Sequence, residues 1–249
     1  MYYYEPRITL LAKPTFTAPE HLGVAWLGES TPGEQLAEFA GRLCYMSQRN
    51  PAGRTTRDYL DNIKKQGHGS VLEHANYSLL FEGVSRSLTH ELVRHRAGFA
   101  YSQLSQRYVD EKDASFVVPP AVAGDEGLEN AWRSQVDGAL ASYIALVEQL
   151  MERYAWVGDK VHRRKMAREA ARGVLPNSTE TKIVVTANAR AWRTMLELRS
   201  SEGAELEIRR LAVATLRLLA EEAPGFFSDF EIYVGDDRRE AARVRFHKV

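Results

Sequence analysis

Hydrophobic and polar positions alternate along this chain with two periods, and the helical one prevails. Residues 33–46 (GEQLAEFAGRLCYM) place Leu36, Phe39, Ala40 and Leu43 at helical spacing. Residues 55–66 predict a second helix, opened by Thr55 as N-cap and closed by Gly67. Ser85 opens a third over 85–96 (SRSLTHELVRHR), and the polar stretch 97–113 reads as loop or irregular continuation. A long amphipathic helix runs from 128 to about 154, with Leu140, Tyr143, Leu146, Val147 and Leu150 on one stripe. A basic helix over 160–174 stops at Pro176, and two more span 189–199 and 204–222. Period-two or β-branched runs at 8–12, 77–82, 182–186 (KIVVT) and 229–234 predict strands. Strands scattered among dominant helices predict an α+β fold. With no repeat, low-complexity tract or linker, residues 1–249 read as a single domain.

Composition narrows the function classes. Apolar residues make up 44% and charged residues 27% of 249, the balance of a soluble globular protein. Lys+Arg and Asp+Glu both number 33, which argues against a protein that coats nucleic acid, although a local basic site remains allowed. Cys44 is the only cysteine, so neither an internal disulfide nor a thiolate-built metal site is available. That suits a reducing cytoplasm. Residues 1–13 lack the pattern of a signal peptide, and no run approaches the ~20 apolar residues that cross a bilayer. Cys44 lies in an apolar helix with no adjacent positive charge, which predicts a buried, inert thiol. No GxGxxG fingerprint, P-loop or GxSxG elbow appears. The chemistry is therefore expected from positioned charges and a cofactor.

Four segments carry that charge. In residues 86–107, Arg86, His90 and Arg94 share one helical face, and Arg94, His95 and Arg96 sit where the helix should end. Such a cluster suits phosphate, which guanidinium groups grip bidentately. A solvated basic helix end explains the same residues, and spacing alone does not separate the two. GHGSVLEH (67–74) contains a capping-box pattern in Ser70 and Glu73, and its His68 and His74 are badly spaced for one metal. RRKMAREAAR (163–172) lines up Lys165, Arg168 and Arg172, a stripe that an exposed face also explains. In NARAWRTMLELR (188–199), Arg193 and Glu197 form an i, i+4 pair, whereas Arg190 and Arg199 lack a local partner and are the better site candidates.

Taken in order, these segments resemble the flavin-dependent thymidylate synthases. RHRAGFAYSQLSQRY (94–108) is similar to that family's Arg-His-Arg and Ser-x-Arg signature, and GHGSVLEH to its upstream element. ARGVLP (171–176) and the NAR…LR segment match two further elements, so the resemblance runs from about Ile8 to Phe230. It implies an antiparallel sheet with long helices and a cytoplasmic homotetramer whose active sites draw on several subunits. It also implies FAD as cofactor, NAD(P)H as reductant and methylenetetrahydrofolate as one-carbon donor to C5 of dUMP. Carried over by position, His68, Ser70, Glu73, His95, Arg96, Asn188 and Arg190 would contact or flank FAD. Glu91, Arg94, Gln103, Ser105, Gln106 and Arg107 would line the nucleotide pocket. Arg86 and Arg172, with Lys165 a weaker candidate, would hold the phosphate. Arg199 would be catalytic, facing the uracil edge as C5 becomes nucleophilic.

Two departures stand out. The spacer 97–104 is one residue longer than the family's usual one, and Gly98 supplies freedom for a bulge there. Gly203 stands where relatives often carry a histidine near the flavin. The longer spacer motivates an alternative, a methylase accepting UMP as well as dUMP, as in nucleoside-antibiotic pathways. A more distant alternative makes the Arg-rich helices, interleaved with Tyr101 and Tyr108, a nucleic-acid-binding module; the zero net charge weighs against it.

Overall fold

Helices begin where a side chain can accept from the unpaired amides of a first turn. In the computed structural model, which describes residues 1–249, Thr31 caps α1 (Pro32–Leu43) in a reciprocal capping box with Glu34. Thr55 caps α2 (Thr56–Lys65), as its sequence predicts. After α3 (Arg86–Leu92), Asp125 caps the long α4 (Glu126–Arg153) and Asp159 caps α5 (Lys160–Ala171). Asn188 and Glu205 do the same for α6 (Ala189–Arg199) and α7 (Leu206–Glu222), and a short α8 (Pro224–Phe227) follows.

Strands β1 (Tyr2–Tyr3), β2 (Arg7–Ala12), β3 (Asn76–Ser85), β4 (Phe99–Gln103), β5 (Phe116–Val117), β6 (Glu180–Asn188), β7 (Phe230–Val234) and β8 (Glu240–Val244) complete the chain. The main sheet has the order β2-β3-β6-β4. β7 and β8 pair antiparallel, with Phe230 opposite Val244 and Val234 opposite Glu240. β1 and β5 form a two-residue parallel pair. The α+β class with long helices is as the sequence implies, and no helix is long and apolar enough to cross a membrane.

Contacts divide the chain into two compact units. The first comprises Met1–Arg7, Phe81–Glu91 and Ser102–Ile183. In it Ala114, Phe116 and Val136 form a core against which Tyr2, Trp132 and Leu140 pack. The second comprises Ile8–Leu80, Leu92–Tyr101 and Val184–Val249. Its core includes the fully buried Trp192, Leu72, Leu79, Phe226 and Phe227. Arg193, 3% exposed, donates to both Asp229 carboxylate oxygens and to the Phe226 and Phe246 carbonyls. Burial alone would raise the Asp229 carboxyl, but Arg193 and Lys64 outweigh it and hold it below its ordinary value.

Several local expectations are corrected. The helix expected over 85–96 ends at Leu92, because the Leu92 carbonyl accepts from the His95 amide and the Tyr101 hydroxyl. Part of the expected loop 97–113 is β4, whose alternation of Phe99, Tyr101 and Gln103 is masked by polar residue types. The capping box at Ser70 and Glu73 does not form; Gly69–His74 is a 3-10 turn without a side-chain cap.

The buried face of α1 is Gly33, Glu34, Ala37, Glu38, Gly41 and Arg42, and Leu43 is exposed. Gly41 has no Cβ to meet the Tyr59 hydroxyl, so α1 approaches closely there. Glu38 and Arg42 pair at 2.6 Å, with the Arg42 guanidinium 4.7 Å from the Tyr59 ring centroid. Cys44 is exposed, not buried, at the end of that helix.

Candidate active site

A cleft of about 390 Å³ opens in the second unit beside the first turn of α6. Asn188 builds its floor: its Oδ1 accepts from the Ala191 amide at 2.8 Å, while the Ala189 amide donates to the Ala75 carbonyl. Gly98 faces it in the left-handed region, φ +76°. A Cβ there would lie 2.7 Å from Asn188 Nδ2 and 2.9 Å from the Ala191 Cβ, so only glycine fits without displacement. Arg190 reaches the cleft from α6 and donates to Glu73 Oε1 at 2.6 Å and to the Val249 carbonyl at 3.2 Å. Arg96 lines the cleft from the turn before β4 and is exposed.

His95 stands at the same cleft. Its Nε2 accepts from Arg199 Nε at 3.0 Å. Burial, reinforced by the Arg199 charge, pushes the imidazole down to about 4, so the ring is neutral at physiological pH. The Tyr101 hydroxyl lies 2.7 Å from the His95 carbonyl. Phe99 stacks on Tyr101 and meets Trp192 edge to face, an aromatic backing for the turn.

Of the residues expected around FAD, Glu73, His95, Arg96, Asn188 and Arg190 line this one cleft. His68 and Ser70 are exposed and do not line it, although they flank the buried Gly69. Arg94 is exposed and does not line it either. Gly203 is exposed with open space where a side chain would be.

The other residues expected to line the nucleotide pocket or hold its phosphate lie in the first unit. Arg86, half-buried, donates through Nη2 to the Leu104 carbonyl at 2.8 Å. Burial above all, with the charge of Arg172, holds it below its ordinary value, and Glu111 opposes the shift. Gln103 Nε2 lies 3.2 Å from Thr89 Oγ1 and 3.3 Å from Thr181 Oγ1. Ser105 accepts from the Arg107 amide, and Arg107 pairs with Glu169 at 3.0 Å. Glu91 is half-buried near the end of α3, and Arg172 is half-buried where α5 gives way to a 3-10 turn. Lys165 lies 5.2 Å from the Tyr108 ring centroid, and Arg168 pairs with Asp110 at 2.7 Å.

Sequence reasoning missed Glu111. It and Gln106 are each 6% exposed, and Glu111 Oε1, Gln106 Nε2 and Arg86 Nε lack hydrogen-bond partners. Burial raises the Glu111 carboxyl, with Arg86 opposing. In sequence Glu111 sits among Asp110, Lys112 and Asp113 and looks like one more solvated charge. The Arg193–Glu197 pair expected on α6 is also replaced: Arg193 goes to Asp229, and Glu197 pairs with His247 at 2.9 Å.

The cleft joins two arginines and a helix N-terminus, and so fits an anionic ligand. An α+β protein with such a cleft can position an anionic ligand among charged side chains. The sequence model of the thymidylate synthase complementing protein family matches residues 27–225. The chain is 50% identical over 238 residues to the flavin-dependent thymidylate synthases of Mycobacteroides abscessus and Mycobacterium tuberculosis, covering 95% of this chain and 94% of each relative. Over 244 residues it is 50% identical to the enzyme of that name from Mycobacterium sp. (strain JLS). The chain belongs to the flavin-dependent thymidylate synthase family.

Proposed function

We propose that the chain catalyses FAD-dependent methylation of dUMP at C5, with methylenetetrahydrofolate as one-carbon donor and NAD(P)H as reductant. The observation that carries this reading is the convergence of Glu73, His95, Arg96, Asn188 and Arg190 on one cleft in a chain of this family. Bound FAD, once reduced, supplies the hydride that completes the methyl group.

The protein's own residues supply position and field. Arg96, Arg190 and the α6 N-terminus would hold the cofactor's diphosphate. Arg86, Arg107 and Arg172 take the nucleotide phosphate, with Gln103, Ser105 and Gln106 donating around it. Arg107 must first exchange its Glu169 partner for that phosphate. Arg199 faces the uracil edge and stabilises negative charge on N3 and O2 as C5 attacks the one-carbon unit; such a donor is typically worth ~2.7–4 kcal/mol.

We further propose that residues 1–249 work as one catalytic domain in a cytoplasmic homotetramer with active sites built from several subunits. A methylase that accepts UMP as well as dUMP is the alternative reading, motivated by the longer spacer 97–104. Incubation of the protein with FAD, NADPH, methylenetetrahydrofolate and either uridylate tests the reading. dTMP forms from dUMP with a large kcat/KM advantage over UMP; equal use of UMP contradicts the substrate assignment, and no methylated product contradicts the activity.

A further inference from the structure

Arg199 requires a fixed orientation to act on a flat ring, and the second unit contains a device for it. The guanidinium Nε–H can only donate, so His95 Nε2, 3.0 Å away, can only accept. The imidazole proton must then sit on Nδ1. An imidazolium would set an N–H against the Arg199 N–H.

The surroundings enforce the accepting form. The ring is half-buried beside a permanent cation, and its backbone is tied at both polar groups. The His95 amide donates to the Leu92 carbonyl at 3.1 Å, and the His95 carbonyl lies 2.7 Å from the Tyr101 hydroxyl. The Phe99 ring lies 5.9 Å away, itself stacked on Tyr101 and wedged against the buried Trp192. An acceptor without charge has a particular merit here. A carboxylate in the same place would also orient Arg199, yet would cancel the charge that the reaction uses.

We propose that His95 is a positioning residue for Arg199: as its neutral Nδ1–H tautomer it accepts from the guanidinium Nε edge and sets its plane without itself adding a counter-charge. This rests on the reading in which Arg199 faces the uracil edge, and it assigns His95 a role beyond flanking the flavin. The residue joins cofactor cleft and catalytic arginine in one hydrogen bond.

Two measurements test it. In the full-length chain labelled with 15N-histidine, NMR of the imidazole nitrogens reports the tautomer whether or not FAD is bound. His95 shows a protonated Nδ1 and a bare Nε2 at neutral pH; a protonated Nε2 overturns the proposal. In the FAD-loaded enzyme, His95→Leu lowers kcat about 10- to 100-fold, as loss of an orienting partner typically does, with a far smaller change in KM for dUMP. His95→Gln, whose side-chain oxygen reaches the Nε2 position, restores most of that loss. Equal losses in the two variants at saturating FAD overturn the proposal. A wild-type chain that makes no methylated product defeats the functional reading instead, and the tautomer still judges the His95–Arg199 pair.

Discussion

Arg199 and the arginines of the first unit meet different partners. In the second unit, Arg199 donates its Nε–H to a neutral imidazole, a contact that adds no counter-charge. In the first, Arg107 and Arg168 are held by the carboxylates of Glu169 and Asp110. Arg86 there leans on a carbonyl, with the buried Glu111 providing charge at a distance rather than contact. A cation held by a carboxylate must give up that partner before it can bind an anion, whereas a guanidinium edge donated to an imidazole meets no opposing charge there. The first arrangement suits reversible capture of a phosphate, and the second suits transition-state stabilisation.

The largest expected effect breaks the second arrangement. Arg199→Ala lowers kcat about 10²- to 10³-fold while the protein keeps its flavin colour. Steady-state kinetics beside the flavin-to-protein absorbance ratio check this; normal turnover removes Arg199 from the mechanism. Next comes Gly98→Ala, which forces a side chain into the left-handed region and against Asn188. A destabilisation of about 1–3 kcal/mol is expected, together with loss of FAD affinity, read by denaturant titration and flavin fluorescence. Unchanged FAD affinity would show that the bulge does not shape the cofactor cleft.

Acid sharpens the contrast, because the two buried groups respond with opposite sign. His95 has a folded value near 4, below its ordinary 6.5, so between these the folded state binds fewer protons than the unfolded one. Its contribution to stability is present above pH 6.5 and is lost as pH falls towards 4. Glu111 is raised above its ordinary 4.5, so the folded state binds more protons and acidification through the raised value stabilises it. Melting temperatures from pH 7 to 4 should therefore fall less steeply in His95→Gln than in the wild type. Glu111→Gln should stabilise at pH 7 by an amount that shrinks as pH falls. Parallel curves for all three proteins would deny both assignments. The smallest effect is at Glu169→Gln, which removes an exposed partner of Arg107. Stability changes by no more than about 1 kcal/mol, and KM for dUMP falls because the phosphate no longer competes; a raised KM would contradict that competition.

Much of this fold was legible in local signals. Thr55 and Gly67 bracket α2, and Asn188 starts α6, because capping chemistry is decided within a few residues. Features set by distant partners were not legible. Helix α3 ends at Leu92 because a tyrosine nine residues on takes its carbonyl. The burial of α1 through Glu38 and Arg42 reflects Tyr59, which no periodicity in α1 reveals.

The candidate site shows the same division. Its ordered motifs marked Arg190, Asn188 and His95 as neighbours in function. The sequence placed Arg193 and Arg199 on one helix without distinguishing them beyond the Glu197 pairing, yet Arg193 is a buried structural cation and Arg199 the held one. Glu111 was invisible because its burial depends on Arg86, Gln106 and Tyr143.

The central claim, that this chain brings a flavin and a uridylate together under arginine control, is tested most directly by titrating dUMP into the FAD-loaded protein. The account predicts a saturable change in the flavin's visible spectrum as the uracil ring stacks against it, at one nucleotide per flavin. A flavin spectrum indifferent to dUMP, or a protein that retains no FAD, would contradict it.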